Sequence, residues 1–371
     1  MGIGPAGLFD QVQGGMAMIV YFCDKDANVI GTASSSLPKG LHIQDASIAD
    51  DVEEGQSILE FYLVYDQGQE ADADRISCPG NQILWESDGR TGVYTIIDTD
   101  GEQQSGEIFI TAESAGLSLL NTIAEAYTAS EAHSASWYIL HFASASGFEI
   151  GKNEISNLTR RLTWDSECTV NERILSIATQ FDNAEISYSF DVKNMAIRHK
   201  YINIHKKRGA KTYRELFMGK DVKAITKKRT IRDLATAIKV TGGTDSEGNI
   251  VTLSGYSYDD GDIYLSGTTL YSRSALKKWG VDGRHVIRTY SYETTSQSQL
   301  CNRAVSNLKK VCDMQTNYEV TLFSAVEGIE VGDTVRILNP GADTYLEARV
   351  LVVDTRTDGQ PSVTLGDYLI K

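Results

Sequence analysis

His199 and His205 are the pair best placed to ligate a metal. Both stand at odd positions of a β-like stretch, so a regular strand would turn them to one side. At the rise of a strand they lie about 20 Å apart, too far to share an ion unless the chain bends. The other constellations fail on spacing. The segment 147–153 (GFEIGKN) approaches a phosphate-binding loop, but its spacing is wrong and it ends in Asn. The segment 98–101 (DTDG) looks like the start of a calcium loop, yet its Gly comes two places early and the later ligands are missing. It reads better as a hairpin turn. There is no H-E-x-x-H and no G-x-S-x-G elbow. With 50 Asp and Glu in the chain, any carboxylate pair chosen for glycoside hydrolysis is uninformative. Five cysteines (Cys23, Cys78, Cys168, Cys301, Cys312) form no C-x-x-C, and Cys301 and Cys312 would stand about 16 Å apart along one helix face. An odd number without close spacing points to assembly in a reducing compartment. The expectation is no enzyme, with no catalytic, cofactor-binding or metal-binding residues.

Charge is more informative than motif. The 371 residues carry a formal net charge of −15, unevenly spread. Residues 1–110 hold 19 Asp/Glu against 4 Lys/Arg, whereas residues 198–239 hold 14 Lys/Arg against 3 acids. An acidic chain with one basic block implies segments that face different partners. With Tyr201, Tyr213 and Phe217 interleaved, the block could grip a phosphate backbone. A nucleic-acid binder normally has a basic domain overall, so a protein neighbour bearing acids is the preferred reading. No apolar run approaches the ~18–20 residues of a membrane helix, and the run at 16–23 lacks the basic flank of a signal peptide.

The elements that must carry these residues are mostly strands. Residues 19–23 and 29–30 flank a polar turn, residues 58–65 (ILEFYLVY) read as a well-buried strand, and turns at Gly80-Asn81, Asp88-Gly89 and Asp100-Gly101 punctuate the rest. Leu117, Leu120, Ile123, Ala124 and Tyr127 fall at helical spacing. A second helix starts at Thr169 with a capping box to Glu172 and buries Ile174, Ile177, Ala178 and Phe181. Ile186, Tyr188, Phe190 and Val192 alternate as in a strand. Gly242-Gly243 and the glycine-rich stretch to Gly267 read as loops and hairpins. A third helix over 296–312 places Leu300, Ala304, Leu308 and Val311 on one side, and β structure resumes after Tyr318 with turns at Pro340-Gly341 and Asp358-Gly359.

Read together, several strings resemble a known family. Residues 19–30 (IVYFCDKDANVI) are similar to its opening hairpin, and 111–121 (TAESAGLSLLN) and 171–181 (NERILSIATQF) to its two helices. Its most recognisable stretch resembles 201–209 (YINIHKKRG), 255–262 (GYSYDDGD) and 272–279 (SRSALKKW). The family is the N-terminal hub portion of siphophage tail-associated proteins, also labelled prophage tail endopeptidase or minor structural proteins. Its fold is similar to the central baseplate hub of contractile phages. The resemblance implies an α+β, mostly β fold, with two small β-barrel, tube-like domains framing two smaller α+β domains. The expected division is an extension at 1–17, a first barrel at 18–110, an α+β domain at 111–200, a mixed region at 201–315 partly completing a barrel, and a final barrel segment at 316–371. It further implies a structural tail-tip protein, assembled in the bacterial host cytoplasm and carried at the distal tail tip of the virion. There it would form a homotrimer bound to a hexameric distal tail protein. The tape measure protein and a downstream tail fibre or receptor-binding protein are further neighbours, and phage DNA passes through the lumen without specific binding. Any lytic domain would lie beyond Lys371. The competing reading is a cell-wall hydrolase, a peptidase or glycosidase acting during entry.

Overall fold

The computed structural model describes residues 18–36, 40–87, 90–101, 106–114, 117–193, 196–212, 214–244, 248–292, 294–324, 328–339, 344–357 and 360–370. The extension at 1–17, Tyr213 and the turns at Asp88-Gly89, Pro340-Gly341 and Asp358-Gly359 lie outside them. The chain is mostly β, with short helices.

The first strands are β1 (Ile19–Cys23), β2 (Val29–Ser34), β3 (His42–Asp51), β4 (Ser57–Val64), β5 (Gln82–Ser87), β6 (Arg90–Asp100) and β7 (Glu107–Glu113), with helix α1 (Glu70–Ile76) between β4 and β5. The β1–β2 turn forms as its residues predict. The Asp24 carboxylate accepts the backbone N–H groups of Asp26 and Asn28, each at 2.9 Å, while Ala27 takes φ +63°. On β4, Leu59, Phe61 and Leu63 are fully buried and the residues between them are half-exposed. This strand therefore buries one face, as antiparallel sheets allow, rather than both. Helix α1 packs Ile76 against β2, where a Cβ on Gly31 would meet the Ile76 Cγ2 at 2.8 Å. That close approach requires glycine.

The two expected barrels are not separate closed sheets. A single 13-stranded sheet runs through both ends of the chain: eleven strands in the order Val222–Thr230, Gln315–Leu322, Ser362–Ile370, Thr344–Arg356, β3, β2, β1, β5, β6, β7, β4, with Thr334–Asn339 branching from Thr344–Arg356 and Arg214–Phe217 pairing with it. The join is β3. Its register against β4 slips between Gln44 and Ser47, and Asp45 sits at φ +51°. Such a bulge bends the strand. The half after the bulge pairs on its other edge with 352–356, Ser47 opposite Arg356 and Asp51 opposite Val352. Thr357 seals the bend, since its hydroxyl accepts the Ala46 N–H at 3.0 Å.

The expected helix over 117–127 is cut short. Helix α2 spans Leu117–Leu120, and the chain then pairs Ile123–Ala124 with Cys168–Thr169. That pairing sets the entry to α4 (Val170–Gln180), so tertiary contact overrides the helical period. Helix α4 has its full capping box. The Thr169 hydroxyl accepts the Glu172 N–H at 3.2 Å, and the Glu172 carboxylate accepts the Thr169 N–H at 2.8 Å. Ile174, Ile177, Ala178 and Phe181 are buried, as their spacing predicts, with Tyr138 of α3 (Ala135–Ala143) and Trp164. The alternating residues 186–192 lie on Glu185–Lys193, which pairs with Ala196–His205, and the latter runs parallel to Phe148–Asn153.

A further sheet centres on Ala237–Thr244, with α5 (Arg273–Trp279) following Thr269–Ser272 and α6 (Gln297–Val311) packed on it. Leu300, Ala304, Leu308 and Val311 face the core as the period predicts. Gly242 and Gly243, expected in a loop, lie within this strand. A Cβ on Gly242 would come 2.4 Å from the Thr294 carbonyl oxygen, so the glycine marks close backbone approach and not a turn. All five cysteines are free. No described helix is long and apolar enough to cross a membrane.

Thr169→Ala should destabilise the unit built on α4 by about 1 kcal/mol, because one orphan amide loses its acceptor. Chemical denaturation followed by near-UV circular dichroism checks this, with exposed Thr179→Ala on the same helix expected to change far less.

Candidate assembly surface

The basic block separates in three dimensions into cations that hold the molecule together and cations that face outward. Arg208 belongs to the first group. Its guanidinium is 3.0 Å from the Asp50 carboxylate of β3, and its backbone N–H is accepted by Glu185. Burial is the largest influence on Asp50 and raises its pKa, an effect that the Arg208 charge opposes. Glu185 in turn takes the Arg349 guanidinium in a two-pronged pair at 2.8 and 2.7 Å. Arg349 is 8% exposed, so this pair is shielded from water. Arg349 also donates to the carbonyls of Gly332 at 3.2 Å and Arg208 at 3.0 Å. Three segments distant in sequence, at 185, 208 and 349, thus converge on one charged node.

The node demands two glycines. Gly209 has φ +76°, and a Cβ there would fall 2.0 Å from the Gly332 carbonyl carbon. Gly332 has φ +91°, and its Cβ would fall 2.4 Å from the Arg208 oxygen. Backbone passes over backbone with no room for a side chain. Asp333 closes the contact by accepting the Ala210 N–H at 2.8 Å.

Lys200 also turns inward. Its ammonium donates to the Ser146 carbonyl at 3.1 Å, and burial lowers its pKa. His199 and His205 are not brought together. His199 Nδ1 lies 3.0 Å from the Glu149 carboxylate, whereas His205 Nε2 bonds the Ser187 hydroxyl at 2.9 Å. Among the described residues no group of three or more His, Cys, Asp or Glu is arranged to hold a metal ion.

Four of the outward cations, Lys223, Lys227, Lys228 and Arg229, line the strand Val222–Thr230, which ends the sheet path and pairs with Gln315–Leu322. Beyond Val222, every residue of it is exposed except half-buried Ile225. Lys228 pairs with Glu319 on the adjoining strand, and the Lys227 ammonium lies 5.6 Å from the centre of the Tyr318 ring. Exposed pairs of this kind contribute little to stability. A sheet edge lined with Lys and Arg repels unselected strands, yet it attracts an acidic surface. The chain carries such a surface. Asp66, Glu70, Asp72 and Asp74, around α1, are all exposed. Sequence reading located the basic block but missed its division, because Glu185, Asp50 and Arg349 lie far from it in the chain.

Glu185→Leu should destabilise the protein by about 3–5 kcal/mol, since it strands Arg349 as an unpaired buried cation. Gly209→Ala should perturb the same junction through overlap with Gly332. Lys228→Ala should cost under about 1 kcal/mol. Urea denaturation of the three variants tests this order.

Residues 210–366, which include the basic edge strand, Gly332 and Arg349, match the family model described as "Prophage endopeptidase tail". No curated protein matches the sequence. Three solved structures share the fold over 94% of this chain. They are prophage tail protein gp18 from Listeria monocytogenes EGD-e (15% identity, 94% of that chain, TM-score 0.52), the 43 kDa tail protein of prophage MuSo2 from Shewanella oneidensis (12%, 98%, 0.57), and the tail protein from Neisseria meningitidis MC58 (10%, 97%, 0.59). At these identities the similarity is one of fold. The chain therefore has the phage tail-protein fold that its sequence resembles, with residues 210–366 carrying the prophage endopeptidase tail pattern.

Proposed function

We propose that this protein is a structural, non-enzymatic hub at the distal tip of a phage tail, assembled in the host cytoplasm and acting as a homotrimeric ring. The observation that carries the reading is the fold shared along 94% of the chain with three prophage tail proteins. The ring would join a hexameric distal tail protein above to host-recognition or wall-degrading parts below. Tape measure and tail-fibre or receptor-binding proteins would be its further neighbours.

A three-fold ring can meet a six-fold tube only if each subunit offers two comparable faces. The two halves of the large sheet, β1–β7 on one side of the β3 bulge and the strands of residues 214–230 and 315–370 on the other, are the candidates. The exposed basic edge at Val222–Thr230 would dock the acidic surface of a neighbouring subunit or tail protein. An acidic wall would let DNA slide without sticking, and the 19 acids against 4 bases of residues 1–110 supply the carboxylates.

Sedimentation or native mass measurement of the purified chain should find a trimer, and a strictly monomeric species would sink the reading. Reversing Lys227, Lys228 and Arg229 to Glu should weaken assembly, with a defect that depends on salt. If assembly is unchanged and DNA retention is lost instead, the block serves nucleic acid. The family description favours a second reading, peptide-bond hydrolysis in the cell wall. Clearing of labelled peptidoglycan by the purified chain, abolished by a single Asp or Glu substitution, would establish it; no clearing is expected.

A further inference from the structure

A cleft of about 470 Å³ opens between the first sheet and the unit built on α3 and α4. We propose that it binds a small phosphate-bearing polyol. Two cations, Lys25 and Lys200, line the cleft and no Asp or Glu does, in a chain where acids outnumber bases. Lys200 is held in place from behind. Its Nζ donates to the Ser146 carbonyl at 3.1 Å and lies 5.1 Å from the centre of the Phe148 ring. Gly147, at φ +75°, passes below it without a side chain, where a Cβ would already stand 3.7 Å from the ammonium. No described carboxylate pairs with this half-buried ammonium. An anion entering the cleft would supply the missing charge in a site partly shielded from water, where such a contact is strong.

The rest of the lining selects a hydroxylated group beside that anion. Gln82 and Thr95 come from the first sheet, Asn121 and Thr122 from the segment after α2, and all four contribute to the cleft wall. Among the described residues their side chains make no hydrogen bond, so their donors and acceptors are open to a ligand. Phe148 and Phe190, with ring centres 6.1 Å apart, give an apolar wall for the carbon skeleton. A cavity of this size, with one apolar wall and a few convergent polar groups, suits a small ligand. This inference does not depend on the hub reading.

Isothermal titration of the full chain with glycerol 3-phosphate tests it, with inorganic phosphate and glycerol as separate arms. Glycerol 3-phosphate should bind saturably and more tightly than inorganic phosphate, and glycerol alone should not bind. Lys200→Met keeps the stem over Phe148 and removes the charge; it should weaken binding about tenfold or more, the loss expected of one charge-assisted contact. Lys25→Ala, in an exposed turn, should also weaken binding and leave the thermal midpoint unchanged. Absence of binding by glycerol 3-phosphate would overturn the proposal. So would equal affinity in Lys200→Met that retains the wild-type fold, or equal binding of glycerol.

Discussion

The buried pair of Glu185 and Arg349 is the constraint on which the arrangement of this molecule rests. Glu185 begins a strand of the middle unit, Arg349 lies in a long strand of the large sheet, and Arg208 links both to Asp50 on β3. A buried ion pair is poor evidence of net stability, because desolvation opposes the Coulomb attraction. Its effect is selective. An arrangement that separated these segments while keeping Arg349 buried would leave its charge unpaired, so the pair penalises such alternatives. Gly209 and Gly332 make the same point sterically, since a side chain at either position would push the backbones apart.

Bringing the ends of the chain together is what makes the sheet continuous. The bulge at Asp45 lets β3 pair with β4 on one side and with 352–356 on the other. The two halves of the sheet are thus one body hinged on a single strand. The cations on Val222–Thr230 stand on a strand paired along its length with Gln315–Leu322 rather than on a loose tail. A partner docking there would meet backbone already ordered in the sheet, although the exposed Lys and Arg side chains would still lose rotamer freedom.

Much of the local structure was legible in the residues themselves. The Asp24 turn, the capping box of α4 and the apolar stripes of α4 and α6 are signals whose partners lie within four residues, so neighbouring side chains suffice to read them. The reading failed where a distant partner decided. The stripe from Leu117 to Tyr127 satisfies a helical period, yet Ile123 and Ala124 pair with Cys168 and Thr169. Gly242 and Gly243 carry the composition of a loop, but both lie within a strand, where the Thr294 carbonyl leaves no room for a side chain on Gly242.

The amino-acid sequence by itself determined the mostly β class, the capped helices, the lack of any recognisable catalytic motif and the resemblance to phage tail hubs. Alternation, capping and charge runs are short-range properties, and a family's strings can be compared without knowing what they touch. Only the tertiary structure decided that 18–100 and 315–370 share one sheet, that Arg208 is a strut while Lys228 is surface, and that His199 and His205 serve separate partners. The physical reason is that a charge has no fixed role until its burial and partners are known. Asp50, Glu185 and Arg349, which assign those roles, reach the basic block only when the chain has folded.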